Sequence, residues 1–196
     1  MVCVFISIFS MAGLWTFASF IPLYLTQVSQ LSVSAMGLVM SLFGLCTIFW
    51  VVFLPYSSDR TGRKPAMVGY ALMASITPAL LFLFPQSTIS IVVYVAIGGI
   101  IMTLTAMFTS IIPVESVSPA LMATAGAVIM GVGELLGSFA VGISGTLADT
   151  YGLPIVMLVT ALAYIVVAII ALGLKETNRR RAKDLGQQPS PVSAEV

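Results

Sequence analysis

Long apolar runs separated by short polar stretches dominate the sequence up to about residue 176. Six of these runs can cross the hydrocarbon core of a bilayer, which is about 30 Å thick and takes about 20 helical residues. The predicted helices span about residues 2–25, 33–56, 65–84, 88–112, 119–148 and 153–174. Strands of a membrane barrel would be about half as long and would alternate in polarity, which these runs do not do. The pattern predicts an all-α integral membrane protein with six transmembrane helices in residues 1–176.

Polar residues and prolines mark where several of these helices begin. Ser32 or Ser34 is placed to cap the second helix, because a serine hydroxyl accepts a hydrogen bond from a free backbone amide of the first turn. Pro65 and Pro154 fall where the third and sixth helices start, a position at which the missing N–H of proline costs nothing. The loops between helices are short, so we expect each helix to run antiparallel to the one before it.

The composition strengthens the membrane assignment. The chain of 196 residues is 59% hydrophobic and 8% charged, with a mean hydropathy of +1.12, whereas soluble domains are about 25% charged. So few charged residues do not cover a water-facing surface, and the lipid bilayer is the expected environment. A nucleic-acid partner is not expected, because the basic runs are short and adjoin segments of lipid-spanning length.

Residue types that commonly carry catalysis or hold metals are scarce. The chain has no histidine, and Cys3 and Cys46 lie inside apolar runs, where a cysteine usually packs as a small hydrophobic residue. The sequence contains no phosphate-binding loop, no nucleophile placed beside a base and no carboxylate pair suited to hydrolysis. It therefore predicts no enzymatic activity, no metal site and no cofactor.

The basic residues are all expected on one side of the membrane. Arg60, Arg63 and Lys64 follow the second helix, and the other five basic residues lie within 175–183, after the sixth. Four crossings separate the two groups, so a count of six helices places both groups on the same side. Basic residues concentrate in cytoplasmic loops. The charges therefore predict cytoplasmic termini, with a polar, disordered tail at 177–196.

Two short motifs occupy equivalent places in the chain. Asp59 and Gly62 are three residues apart and are soon followed by a proline, and so are Asp149 and Gly152. Each motif joins the second and third helix of a three-helix unit. Because three is odd, the two units would have opposite orientations, and the second motif lacks Arg and Lys as an external loop requires. Inverted three-helix repeats are characteristic of secondary transporters.

These motifs resemble those of the major facilitator superfamily. Residues 59–64, Asp-Arg-Thr-Gly-Arg-Lys, resemble the signature that joins helices 2 and 3, and helices 8 and 9, in that family. The stretch from Gly145 to Gly152 is similar to its degenerate external counterpart, and residues 112–117, Ile-Pro-Val-Glu-Ser-Val, resemble the Pro-x-Glu stretch between helices 10 and 11 of bacterial members. The resemblance covers residue 1 to about 176. One departure is Pro55, which stands where the signature has its first glycine.

The resemblance implies a fold and a function. Members have twelve helices in two six-helix halves, so this chain would be the C-terminal half, helices 7–12, built as two inverted three-helix repeats. The implied activity is transport of a small solute by alternating access, coupled to H⁺ or another ion, in the plasma membrane or bacterial inner membrane. The remaining half of the path would come from an N-terminal six-helix half in a separate chain or from a second copy, unless the chain is a truncated product.

Glu134 is the main candidate for coupling or substrate recognition. It lies near the middle of the fifth predicted helix, with no other charge within fourteen residues on either side. A charge at mid-membrane costs about 2.5–3.5 kcal/mol on insertion scales, so the carboxylate needs a proton or a polar environment. Gly131, Gly137 and Ser138 suit a water-lined cavity or a close helix contact. The alternative is a permanently protonated acid that is hydrogen-bonded to a neighbouring helix.

The charged loop has two open interpretations. Asp59, together with Arg60, Gly62, Arg63 and Lys64, resembles a conformational latch whose hydrogen bonds break as the transporter moves. Alternatively, the basic residues only set the orientation and bind anionic headgroups.

Weaker site candidates lie elsewhere in the chain. Glu115 would close the cytoplasmic side by pairing with Arg60 or Arg63, or would be an ordinary solvated loop residue. Trp15, Ser19, Tyr94 and Thr103 are candidates for a substrate cavity, with ordinary packing or lipid contact as the alternative.

Three functions remain open on these residues. The first is half of a secondary transporter, with a small molecule and H⁺ as its ligands. The second is a six-helix membrane protein that does not transport, such as a truncated remnant or an assembly partner. The third is an oligomeric channel for small solutes.

Overall fold

The computed structural model describes residues 2–111 and 119–173. In these residues the chain forms helices and turns, with no strand. The α-helices are α1 (Val2–Gln27), α2 (Val33–Thr61), α3 (Arg63–Leu83), α4 (Thr88–Ile97), α5 (Gly99–Ala106), α6 (Met122–Tyr151) and α7 (Pro154–Ala171). A π-helical turn, Met107–Ile111, continues α5, and a 3-10 turn, Pro119–Leu121, precedes α6.

Six helical segments in the described part of the chain are long and apolar enough to cross a membrane. Five of them are single helices. The fourth, Thr88–Thr109, combines α4, α5 and part of the π-helical turn. The prediction of six spanning helices is confirmed, and the chain is a multi-pass membrane protein.

Local chemistry explains where α2, α3 and α7 begin. The Ala35 backbone N–H donates to the Ser32 hydroxyl oxygen at 3.2 Å, so Ser32 caps α2. Pro154 is the first residue of α7. Helix α3 begins at Arg63, two residues before Pro65, because a single residue, Gly62, separates it from α2.

The fourth span is interrupted, whereas the apolar pattern predicts one helix over 88–112. The break falls at Gly98, and α5 begins at Gly99. A Cβ atom on Gly99 would lie 2.7 Å from Oγ1 of Thr47 on α2. The two helices therefore approach each other where Gly99 has no side chain, which is how small residues allow close packing in membranes.

The helices pack with the symmetry expected of an inverted repeat. Helix α1 packs along α6, α2 packs along α4 and α5, and α3 packs against α7. The first, second and third spans correspond to the fourth, fifth and sixth spans of the other unit. The contact of the first span with the fifth (α1 with α6) therefore corresponds to the contact of the fourth span with the second (α4 and α5 with α2). The same correspondence leaves the α3–α7 contact unchanged. This arrangement agrees with half of a major facilitator fold made of two inverted three-helix units.

Three buried tyrosines mark the core of the bundle. Tyr24, Tyr94 and Tyr164 are fully buried. The Tyr164 ring lies against Gly13 of α1, where a Cβ atom would be 2.8 Å from the ring. The Tyr164 hydroxyl donates to the Ser10 carbonyl at 3.3 Å, which satisfies a polar group buried among apolar side chains.

Helices α2 and α6 are the least buried of the six spans. Large apolar side chains are exposed along α2 from Val33 to Tyr56 and along α6 from Val128 to Tyr151. In a membrane such faces are covered by lipid or by another protein surface.

The polar turns collect at opposite ends of the bundle. The turn between α1 and α2 contacts the turn between α3 and α4, because the Ser29 hydroxyl donates to the Pro85 carbonyl at 2.8 Å. Gly152 and Val28 line one cleft, so the turn between α6 and α7 lies at this same end. We call it the Gly152 end. The turn between α2 and α3 lies at the other end of α2, which we call the Gly62 end.

Candidate functional site

The groove between α1 and α6 forms the candidate site. The two helices run parallel, since Met11 packs against Gly137 and Thr16, further along α1, contacts Ser144, further along α6. A Cβ atom on Gly137 would lie 2.7 Å from the Met11 Cβ. The missing side chain therefore allows the helices to pack closely, as small residues do in membranes.

Trp15 and Glu134 meet across this groove. The Trp15 indole N–H donates to Oε2 of Glu134 at 2.6 Å. Trp15 is 41% exposed and Glu134 is partly exposed, so the pair lies at the surface of the described bundle. Trp15 reaches back toward Glu134 because helical side chains lean toward the N-terminus of their helix.

A single hydrogen bond of this kind leaves the carboxyl group available for further ligands. A carboxylate has two oxygens and about four lone-pair sites, and the indole occupies one of them. The bond is strongest while Glu134 is ionised, because a charged acceptor roughly doubles the strength of a hydrogen bond. Protonation or a bound cation at Glu134 therefore weakens the contact with Trp15.

Small and polar residues surround the pair on the exposed face. Ser138, one turn beyond Glu134, and Ser19, one turn beyond Trp15, are both exposed. A Cβ atom on Gly131 or Gly142 of α6 would meet no other atom within 4 Å. The groove near Glu134 thus has open space on the side that faces away from the core.

Tyr94 and Thr103 lie elsewhere, in the packed interior. Tyr94 stacks on Phe43, and its hydroxyl donates to the Met40 sulfur at 3.1 Å. The buried Thr103 hydroxyl donates to the Gly99 carbonyl at 3.1 Å. The structure therefore does not bring these two cavity candidates to the face that carries Trp15, Ser19 and Glu134.

The charged stretch at 59–64 is more helical than the pattern predicts. Helix α2 continues to Thr61 and α3 starts at Arg63, so Gly62 alone makes the turn. Gly62 has φ +106°, and its N–H donates to the Ser58 carbonyl at 3.0 Å. Only glycine adopts this conformation without strain, which explains why so short a turn contains one.

Charged side chains pack around the Gly62 turn. Arg63 pairs with Asp59 at 2.8 Å, with the arginine 14% and the aspartate 61% exposed. The Arg60 guanidinium carbon lies 4.4 Å from the centre of the Tyr56 ring. Lys64 is partly buried in the first turn of α3. The turn is thus a compact charged cluster on two helix ends.

The Gly152 turn has the same backbone design. Gly152 has φ +86°, and its N–H donates to the Ala148 carbonyl at 2.8 Å. Asp149 lies in the last turn of α6, as Asp59 lies in the last turn of α2. The echo seen in the sequence is therefore an equivalence in the structure.

A cleft of about 470 Å³ opens beside the Gly152 turn. Gln27, Asp149 and Phe20 line it. The other lining residues are Leu23, Val28, Gly145, Ala148, Gly152 and Leu153. The sequence pattern singles out Asp149, Gly145 and Gly152 but not the α1 residues, because nothing local indicates that the end of α1 faces them.

Some predicted features lie outside the described residues. These are Glu115, with its predicted pairing to Arg60 or Arg63, and the tail at 177–196. Among the residues that the structure does describe, no group of three or more His, Cys, Asp or Glu side chains could hold a metal ion.

Six lipid-spanning helices, an inverted repeat and a carboxylate within a membrane span define a multi-pass membrane protein of transporter type. The chain matches the family model described as Major Facilitator Superfamily over residues 3–195. It belongs to this superfamily, whose members are membrane transporters rather than enzymes, and the predicted membership is confirmed. No curated protein and no solved structure matches the chain.

Proposed function

We propose that the chain transports a small solute by alternating access, as secondary transport coupled to H⁺ or another ion, with Glu134 as the coupling group. The observation that carries this proposal is the hydrogen bond from Trp15 to Glu134 on the exposed face of the bundle. Ionisable groups within membrane spans usually mark substrate or ion pathways. The resemblance of the whole chain to a transporter family supports the same conclusion.

The energetics of Glu134 suggest how coupling works. An ionised carboxylate at mid-membrane carries a cost of about 2.5–3.5 kcal/mol on insertion scales. Binding a proton or a cation removes the net charge, so the loaded site can be enclosed while the empty, ionised site must stay hydrated. Enclosure of the loaded form alone is the condition for coupled transport, because a conformational equilibrium shifts only through differential binding.

The proposal includes an orientation. The Gly62 end would face the cytoplasm of the bacterial inner membrane, since Arg60, Arg63 and Lys64 cluster there and basic residues favour that side. The Asp59–Arg63 pair would then act in a cytoplasmic latch that forms and breaks between conformations.

A second six-helix unit would complete the path. Trp15 and Glu134 line an open groove beside the exposed apolar face of α6, so one wall of a cavity is present. Transporters with inverted repeats place their sites between two such units. The second unit would be an N-terminal half on another chain or a second copy of this one, and the mass of the purified complex in nanodiscs distinguishes the two.

The first test uses Trp15 fluorescence to follow the charge on Glu134, and it needs no knowledge of the substrate. The sequence has two tryptophans, so Trp50→Phe leaves Trp15 as the only one. We expect Trp15 emission in that variant to change as pH is varied, because the charge on its hydrogen-bond partner changes. Glu134→Gln should remove this pH dependence, and Ser138→Ala, on the same face, should keep it. A pH dependence that survives Glu134→Gln would contradict the role of Glu134.

Transport itself is measured in vesicles with a panel of labelled sugars, amino acids and organic cations. Any solute that wild-type protein accumulates under a pH gradient should no longer be accumulated by Glu134→Gln, while the variant stays folded. Uptake that appears only after a separate six-helix half is added identifies a split transporter. Complete absence of uptake from the folded, assembled protein would favour the non-transporting alternative.

A further inference from the structure

The cleft at the Gly152 end combines an apolar lining with one carboxylate. Phe20, Leu23 and Leu153 are apolar lining residues, and Asp149 and Gln27 are lining residues with polar side chains. Asp149 is exposed and forms no ion pair with another described residue. The volume of the cleft, about 470 Å³, lies in the range typical of sites for small organic molecules.

The cleft lies on the same groove as Glu134. Trp15 and Phe20 are both on α1, and Glu134 and Asp149 are both on α6. Glu134 and Asp149 are about 22 Å apart along α6, given a rise of 1.5 Å per residue. The groove therefore has two pairs of an aromatic residue and a carboxylate residue. Trp15 and Glu134 lie near its middle, and Phe20 and Asp149 lie at its Gly152 end.

The space between the two pairs is lined by small residues on α6. Ser138 and Gly142 are exposed, and a Cβ atom on Gly142 would meet no other atom within 4 Å. At these two positions α6 carries no large side chain that would hinder a molecule moving along it.

The lining favours one chemical class of ligand. A cation is attracted by the face of an aromatic ring and by a carboxylate, and both attractions grow when water is excluded. Among the described residues, the lining holds no lysine or arginine to bind an anion. The apolar residues favour a ligand with a hydrophobic body. An amphipathic organic cation satisfies all of these features.

We propose that this cleft is an outer binding site for amphipathic organic cations, from which they pass along the groove to Glu134. The proposal rests on the proposed function, in which Glu134 is the transport site. It adds a substrate class and a second site, and it assigns to Asp149 a direct contact with the ligand.

The test uses the full chain in nanodiscs and ethidium, an amphipathic cation, as the probe. Val28→Cys places a thiol in the cleft, and Cys3→Ala with Cys46→Ala removes the native thiols. The rate of maleimide labelling then measures cleft occupancy. Ethidium at about ten times its dissociation constant should slow labelling about tenfold, because only the unoccupied fraction reacts. Leu23→Cys provides a second reporter from α1.

Matched variants test the carboxylate of Asp149. Asp149→Asn should abolish the protection, and Asp149→Glu should restore part of it. Thr150→Ala, at an exposed neighbour of Asp149 that does not line the cleft, should leave it intact. Protection that persists in Asp149→Asn overturns the proposal, as does equal protection by uncharged phenanthridine.

A second readout distinguishes this proposal from the proposed function. In the Trp50→Phe background, ethidium should quench Trp15, and Glu134→Gln should weaken that quenching without changing protection in the cleft. Cleft protection that depends on Asp149, with no quenching and no uptake, would leave the outer site standing and reject Glu134 as the transport site. Quenching that depends on Glu134, with no cleft protection, would support Glu134 as the transport site and reject the outer site.

Discussion

The turns at Gly62 and Gly152 occupy equivalent places in the two repeat units, yet their side chains differ sharply. In each, a glycine with positive φ ends a long helix, and its N–H bonds to the carbonyl four residues earlier. Around Gly62 the neighbours include Arg60 and Arg63, whereas Thr150 and Leu153 take those places beside Gly152.

The difference shows that the backbone conformation of these turns does not depend on their charged side chains. Glycine and the flanking helix ends set the backbone, so both turns keep their shape without common charges. At the Gly62 turn, Asp59 is paired with Arg63. At the Gly152 turn, Asp149 lines an open cleft. One backbone shape thus supports a charged cluster at one end of the bundle and a cleft of ligand size at the other.

The largest expected effect comes from the shared feature, the glycine. Gly62→Ala and Gly152→Ala should each lower the free energy of unfolding by about 1–3 kcal/mol, because both backbones are in a region that is strained for other residues. Unfolding in mixed detergent micelles measures the change. Gly69→Ala is the control, since Gly69 is helical and has open space around its Cβ position.

The control should be neutral or stabilising by up to about 1 kcal/mol, because alanine is the better helix former. A large loss in only one of the two turn variants would show that the turns are equivalent in shape but not in energy. A loss in Gly69→Ala as large as theirs would reject backbone strain as the cause.

The next prediction distinguishes Asp59 from Asp149 by their effects on the maximal uptake rate and on KM. Asp59→Asn should alter the maximal uptake rate by up to about fivefold, since an ion pair whose carboxylate is exposed is worth up to about 1 kcal/mol and here biases a conformational equilibrium. Asp149→Asn should raise KM for ethidium instead, with little change in maximal rate, because it removes binding to the ligand. Initial uptake rates over a range of ethidium concentrations measure both. The same kinetic change in both variants would mean that the aspartates share one role.

The helices and the paired turns follow from the sequence because their causes are local. Lipid leaves no water for unsatisfied backbone groups, so an apolar run of sufficient length becomes a helix. A serine before α2 and glycines at 62 and 152 act on their own backbone. The extent of α2 differs from expectation because charged residues Asp59 and Arg60 extend the helix into water without breaking it.

The contact between Trp15 and Glu134 does not follow from local pattern. The two residues are 119 positions apart, and their meeting depends on how α1 and α6 are rotated about their axes. Close packing at Gly133 and Gly137 contributes to that rotation, and no periodicity in either helix reveals the partner. The same reason explains why Gln27 and Phe20 in the cleft are absent from the sequence prediction, and why Tyr94 and Thr103 lie in the core.

The smallest expected effect concerns Arg60, whose guanidinium lies over the exposed Tyr56 ring. Arg60→Thr makes this turn resemble the Gly152 turn, where Thr150 takes the place. It should lower the free energy of unfolding by about 0.5 kcal/mol, the value typical of an exposed cation–π contact. Tyr56→Leu and the double variant complete a double-mutant cycle, which isolates the pairwise energy from other effects of each change. A coupling energy near zero would mean that Arg60 serves to bind lipid headgroups and to set the orientation in the membrane. The charged and uncharged turns would then differ in their surroundings more than in their internal contacts.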